Sequence, residues 1–169
     1  GRLFILNTGQ EIVSSDGFVA DQSVVEIDSQ RNVHIIWADS RTGNSEVFYK
    51  MLSRDGYVLI NDTQLTSANG NSLRPEMVID SNDKLHIVWH DRRLGNTQIF
   101  YKKIDPSLDD KDGNAANAAT ITLVGDTHVS VNSRNELNNK DEHPSAAIDN
   151  DGNVHVAWER AGDSSIGYA

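Results

Sequence analysis

One unit of about fifty residues recurs along this chain, and that repetition constrains the fold more than any other feature. The unit is clearest between Arg74 and Asp105. Val24–Lys50 matches it at a shift of 52 residues, and His143–Ala169 matches it again at a shift of 69. An aspartate, a histidine and a tryptophan keep their places in every copy: Asp28, His34 and Trp37; Asp80, His86 and Trp89; Asp149, His155 and Trp158. We therefore expect three similar structural units.

Within a unit, the residue pattern predicts four short strands joined by turns. In the first unit we place them at Val24–Ile27, Val33–Trp37, Glu46–Leu52 and Tyr57–Thr66. The second strand alternates, with Val33, Ile35 and Trp37 on one face. His34 and Ile36 fall on the other face. Short strands in a repeat of about 40–50 residues are typical of a β-propeller, in which each unit is a four-stranded antiparallel blade. An immunoglobulin-type sandwich would not repeat its own sequence.

The repeat boundaries predict about three blades. We place them at residues 22–67, at 74–132, and at 143–169 completed by 1–14. Gly1–Ser14 is a loose copy of Gly56–Ser67, so it is expected to supply the fourth strand of the last blade. The second blade carries an insertion, Asp105–Thr120, between its third and fourth strands. Natural rings have about four to eight blades, so we expect either a piece of a longer repeat chain or two half-rings that close into six blades.

Composition excludes several classes of function. The net charge of −10 argues against a nucleic-acid partner, because that binding requires clustered Lys and Arg. Apolar runs are only a few residues long, so no membrane span is expected. No N-terminal stretch has the pattern of a signal peptide, which is expected to be absent or already removed. The chain has no cysteine, which excludes disulfides and thiolate metal sites.

The repeats resemble those of sialidase-like β-propellers, which are often described with the Asp-box (BNR) superfamily. The resemblance is carried by the pattern [VL]-H-[IV]-[IV]-W-x-D-x-R-x-G-N, followed by F-Y-K and by D-G-x-x-L-x-N-D-T. It implies an all-β propeller fold and an extracellular or cell-surface location. The Asp-box Ser-x-Asp-x-Gly-x-Thr-Trp is incomplete, because Ser53–Gly56 keeps its beginning and lacks its Thr-Trp end. The catalytic set of the family's glycosidases, an arginine cluster with a tyrosine–glutamate pair and an acidic acid/base, does not map onto this sequence.

The candidate ligand-binding residues lie in the turns between the second and third strands. Asp39 and Arg41 of the first blade recur as Asp91 and Arg93 of the second, and the shorter turn of the third blade carries Arg160. These turns and the linkers between blades are predicted at one end of the propeller, where loops on a rigid scaffold carry function. Each arginine could hold a carboxylate of a glycan. The alternative is that it pairs with the aspartate of its own turn.

The recurring histidines and tryptophans are interpreted as structural. Equivalent positions in packed sheets lie about 10 Å apart, whereas the nitrogen ligands of one zinc lie about 2.0–2.1 Å from it. The histidines are therefore expected between blades, hydrogen-bonded to a turn aspartate or to backbone. The tryptophans are expected in the core between blades rather than stacked on sugar rings.

The insertion is the candidate metal site. It contains four aspartates followed by a Gly-Asn pair: Asp105, Asp109, Asp110 and Asp112. An oxygen-rich loop with a glycine turn suits Ca²⁺, although the spacing is not that of an EF-hand. The alternative is a solvated acidic loop. No other cofactor is indicated.

These observations favour a non-catalytic extracellular module that binds or acts as a scaffold. Its partner would be a glycan or a protein, held at the loop end that carries the turn arginines. The alternative is a sialidase-like glycoside hydrolase propeller, or part of one. A third reading is a structural surface repeat without a ligand.

Overall fold

The structure is a computed structural model that describes residues 19–110, 116–131, 140–161 and 164–169. In these residues, three antiparallel sheets contain four, four and three strands. The strands are β1 Ala20–Ile27, β2 Val33–Asp39, β3 Glu46–Leu52, β4 Val58–Gln64, β5 Ser72–Ile79, β6 Leu85–Asp91, β7 Gln98–Ile104, β8 Thr122–His128, β9 Asp141–Ile148, β10 Val154–Arg160 and β11 Ser165–Tyr168. Each sheet follows chain order, so every blade is a simple meander.

Helical structure in the described residues is limited to the insertion between β7 and β8. A 3₁₀ helix spans Pro106–Leu108, and a single turn, α1, spans Ala118–Ile121. The side chains of Asp105 and Asn117 cap these two elements by accepting hydrogen bonds from backbone N–H groups. No helix among the described residues has the length and apolar character needed to cross a bilayer.

Each blade has two unlike faces, because side chains alternate along its second strand. We call them the tryptophan face, which carries Trp37, Trp89 or Trp158, and the histidine face, which carries His34, His86 or His155. The cross-strand register places Val25 and Ile35 together on the tryptophan face of the first blade. The predicted alternation of β2 is confirmed.

At both contacts between described blades, the tryptophan face of one blade packs on the histidine face of its neighbour. The tryptophan face of the second blade packs on the histidine face of the first, in a core that includes Trp89, Tyr49 and Ile36. The tryptophan face of the third blade packs in the same sense on the second, where Val88 and Ile99 share a buried cluster with Trp158. The interpretation of the tryptophans as core residues between blades is confirmed for Trp89 and Trp158.

The first strands of the blades line one side of the assembly. Strand β1 contacts β5, and β5 contacts β9. The first strands are therefore the inner strands. Residues 1–14, predicted to complete the third blade, lie outside the described residues.

Candidate functional site

The arginine of the first predicted ligand-binding turn is held by two carboxylates. Arg41 Nη2 lies 2.6 Å from Asp39 Oδ2, and Arg41 Nη1 lies 2.7 Å from Asp62 Oδ2 on the outermost strand. The guanidinium carbon also lies 4.7 Å from the ring centroid of Phe48. The hydrogen bonds that Arg41 donates to Asp39 and Asp62 outweigh burial and raise its pKa further above its already high ordinary value. The arrangement fastens the β2–β3 turn to β4.

The second blade repeats this clamp. Arg93 lies 2.7 Å from Asp91 and 2.7 Å from Asp126, and it stacks on Phe100 at 4.5 Å. Burial alone would raise the pKa of Asp91, but hydrogen bonds from Arg93 and Trp89 outweigh burial and lower it. The carboxylate is therefore ionised at neutral pH. The geometry agrees with the alternative that each arginine pairs within its own turn.

The third blade reverses the charges at the equivalent place. Arg160 occupies the position that is Asp39 in the first blade, and its partner across the sheet is Asp141 of the inner strand. Arg160 Nε lies 3.5 Å from Asp141 Oδ1, and the Asp141 side chain is fully buried. A role of the five turn residues in ligand binding stays a prediction, and the contacts seen here are structural.

The recurring histidines make the contacts that were expected of them. His34 Nε2 lies 3.2 Å from Asp28 of the preceding turn, and His34 Nδ1 lies 3.0 Å from the Tyr49 hydroxyl. The other two blades repeat this triad with His86, Asp80 and Tyr101 and with His155, Asp149 and Tyr168. Each triad ties the first turn of a blade to its third strand, so the prediction of hydrogen bonds to a turn aspartate is confirmed.

The linker between the first two blades lies at the end that carries the arginine turns. Asn44 donates to the carbonyls of Ala68 and Gly70, at 3.1 and 2.7 Å. A Cβ on Gly70 would lie 2.4 Å from the backbone carbon of Arg92, so only glycine permits this close approach. The buried Glu46 carboxylate accepts hydrogen bonds from Thr66, Ala68 and Ser72. The sequence did not predict these hydrogen bonds around Glu46.

The predicted calcium ligands are not gathered into one site by the described residues. Asp105 accepts hydrogen bonds from Ser107 and pairs with Lys84 Nζ at 2.6 Å. Nowhere in the described ranges do three or more His, Asp or Glu side chains form a group able to hold a metal ion. Asp112 lies outside those ranges. Calcium binding by Asp105, Asp109, Asp110 and Asp112 stays a prediction.

A feature that the sequence did not indicate lies on the inner strands. In each of them a β-bulge places two residues opposite the blade's tryptophan. The first residue of each bulge has a left-handed backbone, with φ of 56° at Gln22, 51° at Arg74 and 52° at His143. This conformation is uncommon without glycine, and strained backbone and bulges concentrate at functional sites. The first two bulges are adjacent, since Arg74 N–H donates to Gln22 Oε1 at 2.6 Å, and the strands of the second and third bulges are in contact.

Polar side chains gather around these bulges. We call them the inner-strand cluster: Gln22, Arg74, His90, Glu142, His143 and Glu159. His143 Nδ1 lies 2.8 Å from Glu159 Oε2, and the rings of His143 and His90 are 6.3 Å apart. The cluster therefore combines an imidazole–carboxylate pair, a second imidazole and a guanidinium.

His90 is the unusual member of the cluster. Its side chain is buried, with the whole residue 4% exposed, yet neither ring nitrogen has a hydrogen-bond partner among the described residues. Burial lowers the pKa of His90 to about 4, with the Glu142 carboxylate opposing the shift and Arg74 and Arg92 adding to it. The ring is neutral at pH 7, so it has one nitrogen free to donate and one free to accept. Buried polar groups are ordinarily paired.

One half-buried carboxyl group lies beside the cluster. Glu76 follows Arg74 on the same inner strand. Burial and the neighbouring Glu26 carboxylate raise the pKa of Glu76 above its ordinary value. The protonated form of Glu76 is therefore favoured relative to that of a solvated glutamate.

Repetition itself was the signal that could have located the cluster. Positions that recur in all blades maintain the fold, as the histidine triads do. The bulge positions instead differ from blade to blade, as Gln22, Arg74 and His143. Side chains that vary on a repeated backbone have no shared structural task.

Comparisons with known proteins support the architecture. No protein-family model matches the chain, and no curated protein matches its sequence. Among solved structures, an endo-arabinase from Bacteroides thetaiotaomicron VPI-5482 matches with a TM-score of 0.54 and 14% identity, over 93% of this chain and 57% of that chain. A thermostable family-43 glycoside hydrolase matches with a TM-score of 0.56 and 12% identity, over 92% of this chain and 55% of that chain.

The fold is a β-propeller. The predicted fold class is thereby confirmed, and the blades resemble those of glycoside-hydrolase propellers. The resemblance first seen in the repeats is supported at the level of the propeller fold and not for sialidases in particular. The chain spans little more than half the length of each matched chain. At these identities the likeness concerns the fold alone.

Proposed function

We propose that this chain is the glycan-binding part of a glycoside-hydrolase-like propeller, with the saccharide held at the inner-strand cluster. The observation that carries the proposal is His90, a buried neutral imidazole whose two nitrogens have no described partner. A sugar hydroxyl both donates and accepts, so it can pair with either nitrogen. Such pairing would recover the free energy that an unsatisfied buried polar group costs, about 1–3 kcal/mol.

The surrounding cluster suits a polyhydroxylated ligand. Arg74 is exposed and makes no ion pair with another described residue. The His143–Glu159 pair adds a donor and a carboxylate acceptor at 2.8 Å. Saccharides are recognised through a few such placed polar groups on a rigid frame. This site replaces the loop end as the principal ligand surface, and an extracellular or cell-surface location is part of the proposal.

The binding test uses arabinan and other soluble plant polysaccharides as probes, because one matched structure is an endo-arabinase. Isothermal titration of the 169-residue chain should detect binding that Arg74→Ala weakens about tenfold. Arg31→Ala is the matched control, since Arg31 is also an exposed arginine with positive φ but lies in the β1–β2 turn. Equal weakening by both variants, or no binding by a broad glycan screen, would reject the proposal.

Glycoside hydrolysis is the second candidate, and the raised pKa of Glu76 favours it. Glycosidases use one carboxylic acid of raised pKa to protonate the leaving oxygen and a second carboxylate as base or nucleophile. Glu76 would be the acid and Glu26 the candidate second carboxylate. The likeness to two glycoside hydrolases in fold adds support.

Release of reducing ends separates the two candidates. If the chain hydrolyses the glycan that it binds, Glu76→Gln should abolish release and leave binding within about twofold, because the amide keeps the shape of the side chain. Binding without release would leave the chain as a binding module. Release that survives Glu76→Gln would remove Glu76 from the mechanism.

A further inference from the structure

The linker between the first two blades contains Asn69 followed by Gly70, the sole asparagine–glycine pair in the chain. This pair is chemically labile in proteins, because glycine has no side chain to hinder attack by its own backbone nitrogen on the preceding side-chain amide. The attack closes a five-membered succinimide ring. In a folded protein, the reaction depends on whether other contacts hold the two reacting groups.

Neither reacting group is held by another contact in this structure. Asn69 is exposed and lies between two strands rather than in one. Its side chain makes no hydrogen bond to another described residue, and the Gly70 N–H donates none within the same part of the chain. No such contact therefore has to break before the Gly70 nitrogen attacks the Asn69 side chain.

Two nearby asparagines provide the contrast. Asn71 Oδ1 accepts a hydrogen bond from Ser45 N–H at 3.2 Å, and the N–H that follows it, of Ser72, donates to the Ser45 carbonyl at 2.7 Å. The Asn44 side chain donates to three acceptors, and the N–H that follows it belongs to the same Ser45. At both asparagines the groups that would react are engaged elsewhere, and the next residue is serine rather than glycine.

Close packing fixes the glycine of the labile pair. A Cβ at Gly70 would lie 2.4 Å from the backbone carbon of Arg92 and 2.5 Å from the backbone nitrogen of Arg93. A bulkier residue, which would slow the attack, therefore does not fit at this position. The packing of the linker thus preserves the labile pair.

We propose that Asn69 is a site of spontaneous deamidation, and that its isoaspartate product detaches the linker from Asn44. The Gly70 backbone nitrogen loses its proton and bonds to the side-chain carbonyl carbon of Asn69, and ammonia leaves. Water then opens the succinimide at either carbonyl, which gives aspartate or isoaspartate. The reaction requires only the folded chain and water, and it is independent of glycan binding.

Isoaspartate changes the linker because the main chain then runs through the former side chain. One methylene, about 1.5 Å of added backbone, enters between the Cα of residue 69 and Gly70. Asn44 Nδ2 holds the carbonyls on both sides of this point, Ala68 at 3.1 Å and Gly70 at 2.7 Å. Gly70 has no room to move toward Arg92. We therefore expect the added length to break the hydrogen bond between Asn44 and Gly70, whereas ordinary aspartate adds a charge and no length.

Peptide mapping of the folded chain, aged for days in mildly alkaline buffer, tests the modification. The tryptic peptide Asp55–Lys84 contains its own controls, because Asn61, Asn71 and Asn82 lie in it with Asn69. Tandem mass spectrometry should find that Asn69 converts first and that most of the product is isoaspartate. Conversion should accelerate as pH rises, because the attacking nitrogen must lose its proton.

Thermal unfolding of the aged chain tests the consequence. Loss of the hydrogen bond to Gly70 should lower Tm by about 1–6 °C in the isoaspartate form. Asn69→Gln is the matched variant, since it keeps an exposed amide but would have to close a six-membered ring. It should neither convert nor lose stability on ageing. Asn69→Asp separates charge from length, and it should unfold like the fresh unmodified chain.

The two parts of the proposal fail in different ways. An unconverted Asn69 in the aged chain, earlier conversion at Asn71, or aspartate without isoaspartate would overturn the deamidation site. An isoaspartate form with unchanged Tm, or an equal loss of Tm in aged Asn69→Gln, would overturn the detachment of the linker.

Discussion

Replacing Arg93 by methionine should destabilise the propeller through the buried carboxylate that the guanidinium neutralises. Asp91 is fully buried, and Arg93 Nη2 lies 2.7 Å from it. Breaking a buried ion pair by removing one partner costs about 3–5 kcal/mol, because the remaining charge is left uncompensated. Trp89 Nε1 at 2.7 Å and Ser72 Oγ at 2.9 Å still donate to Asp91 in the variant. We therefore expect the lower end, about 3 kcal/mol.

Thermal unfolding provides the assay. For a chain of 150–250 residues, each kcal/mol shifts Tm by about 2–4 °C, so Arg93→Met should lower Tm by about 6–12 °C. The control is Arg54→Met, because Arg54 and its partner Asp55 are both well exposed and their separation is 3.5 Å. Exposed pairs contribute about 0–1 kcal/mol, and that Tm should hardly move. Equal shifts in the two variants would refute the assignment of Arg93 as a structural clamp.

Three further predictions concern buried groups. The lowered pKa of His90 means that its protonation favours the unfolded chain as pH falls from about 6.5 to about 4. In urea unfolding, His90→Phe should therefore lose less free energy of unfolding over that pH range than the unmodified chain. An unchanged pH dependence would contradict this. Asp80→Asn should weaken the acid transition, because hydrogen bonds from backbone and side chains outweigh burial and lower the pKa of Asp80, a stabilisation lost as pH falls below about 4. Gly167→Ala should cost about 1–3 kcal/mol by overpacking against Trp158, whereas Gly125→Ala, with open space around it, should be nearly neutral in the same unfolding assay.

The repeated part of the fold could be predicted because two sequence signals agree. The repeat indicates similar blades, and the alternation within a strand indicates a blade with two different faces. Strand β2 alternates in sequence, and its two faces meet two different neighbours in space. The histidines were predicted to hydrogen-bond to a turn aspartate or to backbone, and His34, His86 and His155 all bond to the aspartate. A side chain that recurs at a fixed distance from a turn has a local partner, and local partners can be read from spacing.

Variation between blades could have pointed to the inner-strand positions, but the left-handed bulge backbone beneath the cluster could not be predicted from the sequence. A left-handed φ is usually indicated by glycine, and none of Gln22, Arg74 and His143 is glycine. Arg160, at the end of β10, pairs with Asp141, at the start of β9. In the sequence, Arg160 was visible only as a departure from the repeat. The clamp from Arg41 to Asp62 likewise crosses 21 residues of chain.

The inner-strand bulges have a consequence for how recognition can change in such a protein. The same left-handed backbone accommodates an amide, a guanidinium and an imidazole at Gln22, Arg74 and His143. The backbone therefore does not depend on which of these side chains is present. Exchanging them among the three positions should rewrite the chemistry of the inner surface while the blades stay as they are. The blades supply a fixed scaffold, and the three bulge residues determine the chemistry of the inner surface.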